Sequence, residues 1–249
     1  MSLTLTGTKT AVGLGNTASF LATGGTAPYA YVVLPNGQGG TIDGATGLYS
    51  SPPYSSYNPS PSNATDTIQV IDSTGATATA TILVGPPMIL FLDILSTVLQ
   101  LPAGRCLLYD TKGFQPTDAG LYIVVGMGHP HVFGNNKKYD STTDTYVNSV
   151  NVVATLDLHV ISVDTSALWQ KELVLAALMS PYSISQQEAN AFSIGRVPLA
   201  GQFNDLSEVD GPAIPYHFQI SINLTYAVDA SYPTPVFTEF QGVTETINP

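Results

Sequence analysis

Hydrophobic positions follow two different rhythms along this chain. Up to residue 85, short stretches alternate apolar with Thr, Ser or Gln, as in Thr67-Ile68-Gln69-Val70-Ile71-Asp72 and Thr77-Ala78-Thr79-Ala80-Thr81-Ile82. A period of two marks half-buried strands. The pattern predicts strands at Leu3–Thr6, Thr17–Ala22, Tyr29–Leu34, Gly47–Ser50, Asp66–Asp72 and Thr77–Val84. Gly24-Gly25, Asn36-Gly37, Gly39-Gly40 and Ser73-Thr74-Gly75 separate them as turns. Turns about every ten residues between short strands point to an all-β sandwich. The proline-rich stretch Tyr49–Pro61 reads as an irregular loop.

The rhythm changes at Gly85-Pro86-Pro87. Met88–Leu99 is apolar without Gly or Pro and predicts a helix, with prolines at its start and Pro102 and Gly104 beyond its end. A strand follows at Leu121–Met127, then a polar loop or hairpin over His129–Thr145. Val150–Ser162 predicts a long strand with Val152, Ala154, Leu156, Leu158 and Val160 on one face and Thr155, Asp157 and His159 on the other. Asp164 is the expected N-cap of a helix to about Met179, closed by Pro181, and Ser183–Phe192 a second helix with a Ser183–Gln186 capping box. Gly195–Ala200 reads as a short strand and Asn204–Pro215 as an acidic loop. Tyr216–Val228 is the longest predicted strand, with Phe218, Ile220, Ile222, Leu224 and Tyr226 inward. The expected organisation is an all-β sandwich over 1–85 and, over 86–249, an α+β domain with a mostly antiparallel sheet and helices on one face.

Composition narrows the function. With 249 residues and 44% hydrophobic content the chain is globular, while charged residues reach only 10%, against about 25% in ordinary domains. So weakly charged a surface suits a protein covered by copies or partners. The formal net charge is −11, of which −9 lies in residues 88–249. Affinity for nucleic acid comes from neutralising phosphates, so ordinary DNA binding is not expected, although the chain could surround DNA without holding it. Lys137-Lys138 are too few for a nucleic-acid patch. Cys106 is the sole cysteine, which excludes an internal disulfide and a cysteine-based zinc site. The N-terminus lacks the features of a signal peptide and Met88–Leu99 is too short to span a bilayer. The expectation is therefore synthesis in the cytoplasm and no membrane.

Candidate chemistry is sparse. No nucleophile elbow, P-loop or His-Glu-x-x-His motif is present, and Gly13-Leu14-Gly15-Asn16 lacks the last glycine of a dinucleotide motif. His129-Pro130-His131 is the best metal pair, but two more ligands are needed, and a loop pair is the expected reading. His159 and His217 lie on predicted strands with no motif joining them. Asp43 and Asp72 read as turn caps rather than calcium ligands with Asp66. Tyr54 and Tyr57 read as loop residues over the sandwich edge rather than a sugar platform. Asp205, Glu208 and Asp210 read as a solvated or interface cluster rather than acid/base carboxylates. No catalytic, cofactor-binding or metal residue is assigned, and no enzyme is expected.

Two resemblances follow from local phrases. Gly24-Gly25-Thr26-Ala27-Pro28-Tyr29, Ile42–Pro52 and Thr67–Gly75 with Ala78–Val84 resemble bacterial and phage immunoglobulin-like domains, where a Gly-xxx-Tyr-xx-Pro segment precedes a Val-x-Asp-xx-Gly hairpin. Beyond the seam, Tyr122-Ile123-Val124-Val125, Leu156–Asp164, Met179-Ser180-Pro181-Tyr182, Asp205-Leu206-Ser207-Glu208 and Tyr216–Tyr226 succeed one another in an order that resembles the neck or tail-terminator proteins of tailed bacteriophages. The chain departs from that family at Val209–Pro215, where a basic residue is usual. The second resemblance implies a virion protein at the head-to-tail junction: a homo-oligomeric ring, a hexamer, that caps the tail tube or sheath, joins the neck or connector proteins and leaves a channel through which DNA passes without specific binding. Tyr216–Val228, His129–Thr145 and the tail Asp229–Pro249 are the expected contact surfaces. The alternative is a surface adhesin, decoration or fibre-associated module that binds through the immunoglobulin-like part.

Overall fold

The computed structural model describes residues 2–35, 37–53, 57, 64–108, 116–141, 144–195, 203–207 and 216–233. Strand content dominates, arranged in three sheets with three helices among the described residues.

Eight strands come first: β1 (Thr4–Gly7), β2 (Ala11–Gly13), β3 (Thr17–Thr23), β4 (Ala30–Val33), β5 (Thr41–Ile42), β6 (Leu48–Ser50), β7 (Thr65–Ile71) and β8 (Thr77–Gly85). They form two four-stranded sheets, ordered β1-β3-β6-β5 and β2-β8-β7-β4. All neighbours are antiparallel except β2 and β8. Between the sheets lies one apolar cluster in which Phe20, Tyr49, Ile68, Val70, Ile82 and Val84 are buried. The alternation read in β7 is the cause: Ile68 and Val70 are wholly buried, and a one-residue slip would turn both outward. The short strands β2 and β5 were not expected. Two or three residues carry no readable period, and their place is set by their neighbours.

A carboxylate also sits in this half's interior. Asp66 is fully buried and accepts hydrogen bonds from the Tyr49 hydroxyl and the backbone N–H groups of Gln38 and Gly40. Burying a charge is costly unless it is fully hydrogen-bonded. Three donors meet that need and tie the segment around Gly40 to the middle of β7.

Helix α1 (Pro87–Val98) follows β8 after one residue, with Pro86 at its N-cap and Pro87 in its first turn. Proline is tolerated there because the first N–H groups have no intrahelical partner. Then come β9 (Cys106–Leu108), β10 (Tyr122–Met127), β11 (His131–Asp140), β12 (Thr145–Ser162), α2 (Ser166–Leu178), α3 (Pro181–Asn190), β13 (Phe192–Ile194), β14 (Asn204–Asp205) and β15 (Tyr216–Pro233). The sheet runs β13-β15-β12-β10-β9, with β11 also on β12 and β14 on β15. Among the described residues of this sheet only the β9–β10 pair is parallel. Phe91, Ile94 and Leu95 of α1 and Val174, Ala177 and Leu178 of α2 share one core with Leu156, Leu158, Val160, Ile220, Ile222 and Leu224.

Several expectations need correction. Of the two readings of His129–Thr145, loop or hairpin, the hairpin is found: residues 131–140 form a strand hydrogen-bonded to the first half of β12. Both long strands exceed their expected spans, and Asp229–Pro233 of the expected tail belongs to β15. The N-cap position of α2 is Thr165, not Asp164. Asp164 instead accepts the Ser166 N–H, and the Ser162 hydroxyl accepts that of Ala167. Pro181 does not merely close α2; it opens α3, with Ser180 capping the Ser183 N–H. The Ser183–Gln186 capping box is absent, because Ser183 already lies inside the helix. Strand β13 was not expected, and of the short strand expected at Gly195–Ala200 residues 196–200 lie outside the described residues, as do 208–215 and 234–249.

The seam is a packed junction. Ala11 of β2 is buried in the larger core, and Leu83 of β8 packs against it. The Gly13 N–H donates to Asn190 Oδ1 at 2.8 Å, and Lys9 Nζ donates to the Ala189 carbonyl at 2.9 Å. The Tyr182 hydroxyl donates to Asp93 Oδ2 at 2.9 Å and lies 3.5 Å from Thr10 Oγ1. Helices α1 and α3 thus grip β2 from the C-terminal side. Among the described residues no helix is long and apolar enough to cross a membrane.

Candidate functional site

The face of the large sheet turned away from the helices is the most distinctive surface. Antiparallel register sets Ile161 opposite His217, His159 opposite Gln219, Asp157 opposite Ser221, Thr155 opposite Asn223 and Ser149 opposite Asp229. Side chains that alternate inward are apolar, so the outward set is free to be polar. Cross-strand contacts knit it into a ladder. The Ser221 hydroxyl donates to Asp157 at 2.7 Å, the Thr155 hydroxyl donates to Asn223 Oδ1 at 3.2 Å, and the Ser149 hydroxyl donates to Asp229. At the β10 end of this face Tyr122, Val124 and Ile161 form a small buried cluster, with the Arg105 guanidinium 4.2 Å from the Tyr122 ring centre.

His159 and His217 meet diagonally in this ladder, Nδ1 to Nε2 at 2.8 Å. Burial lowers the pKa of both imidazoles; the neighbouring imidazole lowers that of His217 further, while Asp157 and Asp205 pull weakly the other way. The pair therefore favours the neutral state at pH 7, and the charges this ladder shows are the carboxylates Asp157 and Asp229. Residue-by-residue reading missed the pair because each histidine lies alone in sequence. The available signal was that both occupy outward positions on the two longest strands.

The other candidates fall apart in space. His129 and His131 are exposed, and His131 opens β11 opposite Val153. Asp43 accepts the Ala45 and Thr46 N–H groups, and those Thr46 bonds lower its pKa. Asp72 is held at about 2 by the Thr74 hydroxyl and the N–H groups of Thr26, Ala76 and Thr74. Both are turn caps, as expected, and Asp66 is a core group. Asp205 is exposed on β14 and accepts the Ser207 N–H; Glu208, Asp210 and Tyr54 lie outside the described residues. The Cys106 thiol is pushed up to about 12, first by burial and then by the Asp93 carboxylate, so it is a poor nucleophile. Among the described residues no group of three or more His, Cys, Asp or Glu is placed to hold a metal ion.

The second notable surface is an arm. From Val152 and Tyr226 the paired strands β12 and β15 continue seven positions to Thr145 and Pro233, about 23 Å at 3.3 Å per residue. Strand β11 flanks β12 along this length. Among the described residues the free edge of β11 has no strand neighbour, and Val132, Phe133, Tyr139 and Tyr146 are exposed. Open edges with apolar side chains invite pairing. A recess of about 410 Å³ at the arm's base is lined by Gly13, Asn16, Asn190, Val147 and Tyr226.

No protein-family model matches the chain, and no curated protein matches it significantly.

Proposed function

We propose that this chain is a structural protein of a tailed bacteriophage, placed at the head-to-tail junction, where a hexameric ring of copies ends the tail and joins the neck. The observation that carries this reading is the β11–β12–β15 arm, which leaves the body of the sheet with an open edge and exposed aromatic residues. A surface of that kind suits a subunit whose neighbours complete it. The histidine-free stretch of the polar ladder supports the channel role: its charges are Asp157 and Asp229, and carboxylates facing a channel repel phosphates and let DNA slide. The eight-stranded half is then an immunoglobulin-like module on the outside of the ring, braced by the Gly13–Asn190 contact. Negative-stain electron microscopy of the purified full chain tests the proposal. Closed rings with an open centre are expected; monomers that bind neither tail nor neck proteins would overturn it.

A second reading has one observation in its favour. Leu21 and Leu48 are exposed on neighbouring strands of the β1-β3-β6-β5 sheet, diagonal to one another across the β3–β6 register. An apolar pair there suits a surface-binding module such as an adhesin. Binding of the full chain to a glycan array, abolished by Leu21→Ser, with no ring formation, would select it.

A further inference from the structure

The polar ladder holds one pair unlike its neighbours. Beside it the outward positions are those of an ordinary wet sheet, where the Ser221 and Thr155 hydroxyls donate to Asp157 and Asn223. At His159 and His217 two half-buried imidazoles meet instead, Nδ1 to Nε2 at 2.8 Å, with ring centres 5.0 Å apart and planes inclined by 48°. The two longest strands carry them, and an unbroken β12–β15 register fixes where they stand. Two neutral rings in this position spend one N–H on one lone pair. With both lone pairs turned to the same point, the same two nitrogens become a clamp for a cation.

We propose that His159 Nδ1 and His217 Nε2 chelate a divalent transition-metal ion such as Zn(II), with solvent completing its coordination. The inference is independent of the ring reading and goes beyond it. Imidazole nitrogens sit about 2.0–2.1 Å from such an ion, which places two of them about 3.3 Å apart on a tetrahedral centre. The observed pair has to open by only about 0.5 Å to meet that spacing. The torsion that turns a histidine ring is soft, so the rings swing to admit the ion while the strands keep their register.

The surroundings suit a cation. Ligation needs the neutral ring, and burial already favours that form in both histidines. The fixed charges acting on the pair are carboxylates, Asp157 on His159 and Asp205 on His217. Gln219 stands opposite His159 on the same face, two residues from His217, and adds an amide oxygen to the patch. The backbone beside His217 is held: its N–H donates to Ser207 Oγ at 3.0 Å, and the Ser207 N–H donates to Asp205 at 3.0 Å. Imidazole donors select zinc, copper and nickel, whereas calcium and magnesium take oxygen ligands.

The test is calorimetric titration of the full chain with Zn(II), with Mg(II) as the control ion and mass followed by light scattering. One Zn(II) per chain is expected, at unchanged mass, with no comparable binding of Mg(II). Loss of even a group that only supports a ligand costs about tenfold in metal affinity, so His159→Gln and His217→Gln should each weaken Zn(II) binding by at least that factor. The exposed pair gives the contrast: His129→Gln/His131→Gln should leave the affinity as it is. Thermal midpoints recorded in chelator check that each variant folds, and added Zn(II) should raise the midpoint of the parent but not of the two single variants. Zn(II) affinity that survives in His159→Gln or His217→Gln, or that vanishes in His129→Gln/His131→Gln, would overturn the site. Equal uptake of Mg(II) would reduce the binding to the general attraction of an acidic chain and overturn it too. So would binding seen only with a rise in mass, which would place the ligands on different copies. No binding at millimolar Zn(II) would leave a hydrogen-bonded pair and nothing more.

Discussion

His159 Nδ1 and His217 Nε2 lie 2.8 Å apart across the β12–β15 pair, two imidazoles sharing one proton's worth of space. Both pKa values are lowered below 6.5 by burial, and Asp157 and Asp205 offset this only in part. The unfolded chain thus takes up protons first as pH falls. Stability from the neutral pair is complete above pH 6.5 and is lost as pH drops from 6.5 through the folded-state values. Thermal midpoints should be flat from pH 8 to 7 and fall as pH drops below 6.5. In the His159→Gln/His217→Gln variant that fall should disappear, with exposed His129 and His131 left in place as the control. An unchanged pH profile in the variant would remove the pair as its source.

The Asp66 carboxylate serves three donors in a wholly buried site. Asp66→Ala leaves all three unpaired, each at about 1–3 kcal/mol. Denaturant unfolding should show a loss of roughly 3 kcal/mol or more, whereas Tyr49→Phe, which removes only one donor, should cost about 1 kcal/mol. Equal losses from the two changes would contradict this account.

Gly47 and Gly75 both hold left-handed backbone, at φ +72° and +86°. A Cβ at Gly47 would collide with the Phe20 carbonyl oxygen and come within 3.1 Å of the Tyr31 ring, whereas one at Gly75 meets nothing within 4 Å. Gly75→Ala should therefore cost about 1–2 kcal/mol from backbone conformation alone. Gly47→Ala should cost measurably more in the same unfolding assay, and the difference reads the collision. A smaller loss at Gly47 would be the contrary result.

At the seam, Asn190 accepts the Gly13 N–H and donates to Gln186. Asn190→Ala should free the Gly13 amide and speed its hydrogen exchange, with a stability loss of about 1–3 kcal/mol. Exchange at Gly13 as slow in the variant as in the parent would show that the contact does not hold the junction.

What the sequence made legible, and what it hid, follows from how far each signal reaches. The inward set Phe218, Ile220, Ile222 and Leu224 was readable because one buried face forces strict alternation over a long strand. Helix α1 was readable because Pro86 and Pro87, tolerated in a helix's first turn but not its interior, stand just before an unbroken apolar run. Strand β9 was hidden, since Cys106–Leu108 forms only by lying parallel to β10, a partner fourteen or more residues on. The Asp164 cap was misplaced because two side chains, Asp164 and Ser162, divide the task of closing the first turn of α2. The histidine pair was hidden for the same reason as β9: register between β12 and β15 creates it, and no local phrase records register. Trp169 and Leu173 stand exposed on α2, but apolar residues in a helix read as core until the fold shows which side is covered.

The burial of Ala11 in the larger core gives the junction a mechanical meaning. A load applied to the sandwich reaches the seven-stranded sheet by two parallel routes, along β8 into α1 and through β2 into α3. Neither route runs through a long linker: one residue joins β8 to α1, and Asn190 holds Gly13 directly. A pull or torque at one end of the molecule is therefore delivered to the other as displacement rather than absorbed as swing, and the two halves should yield together at a single force.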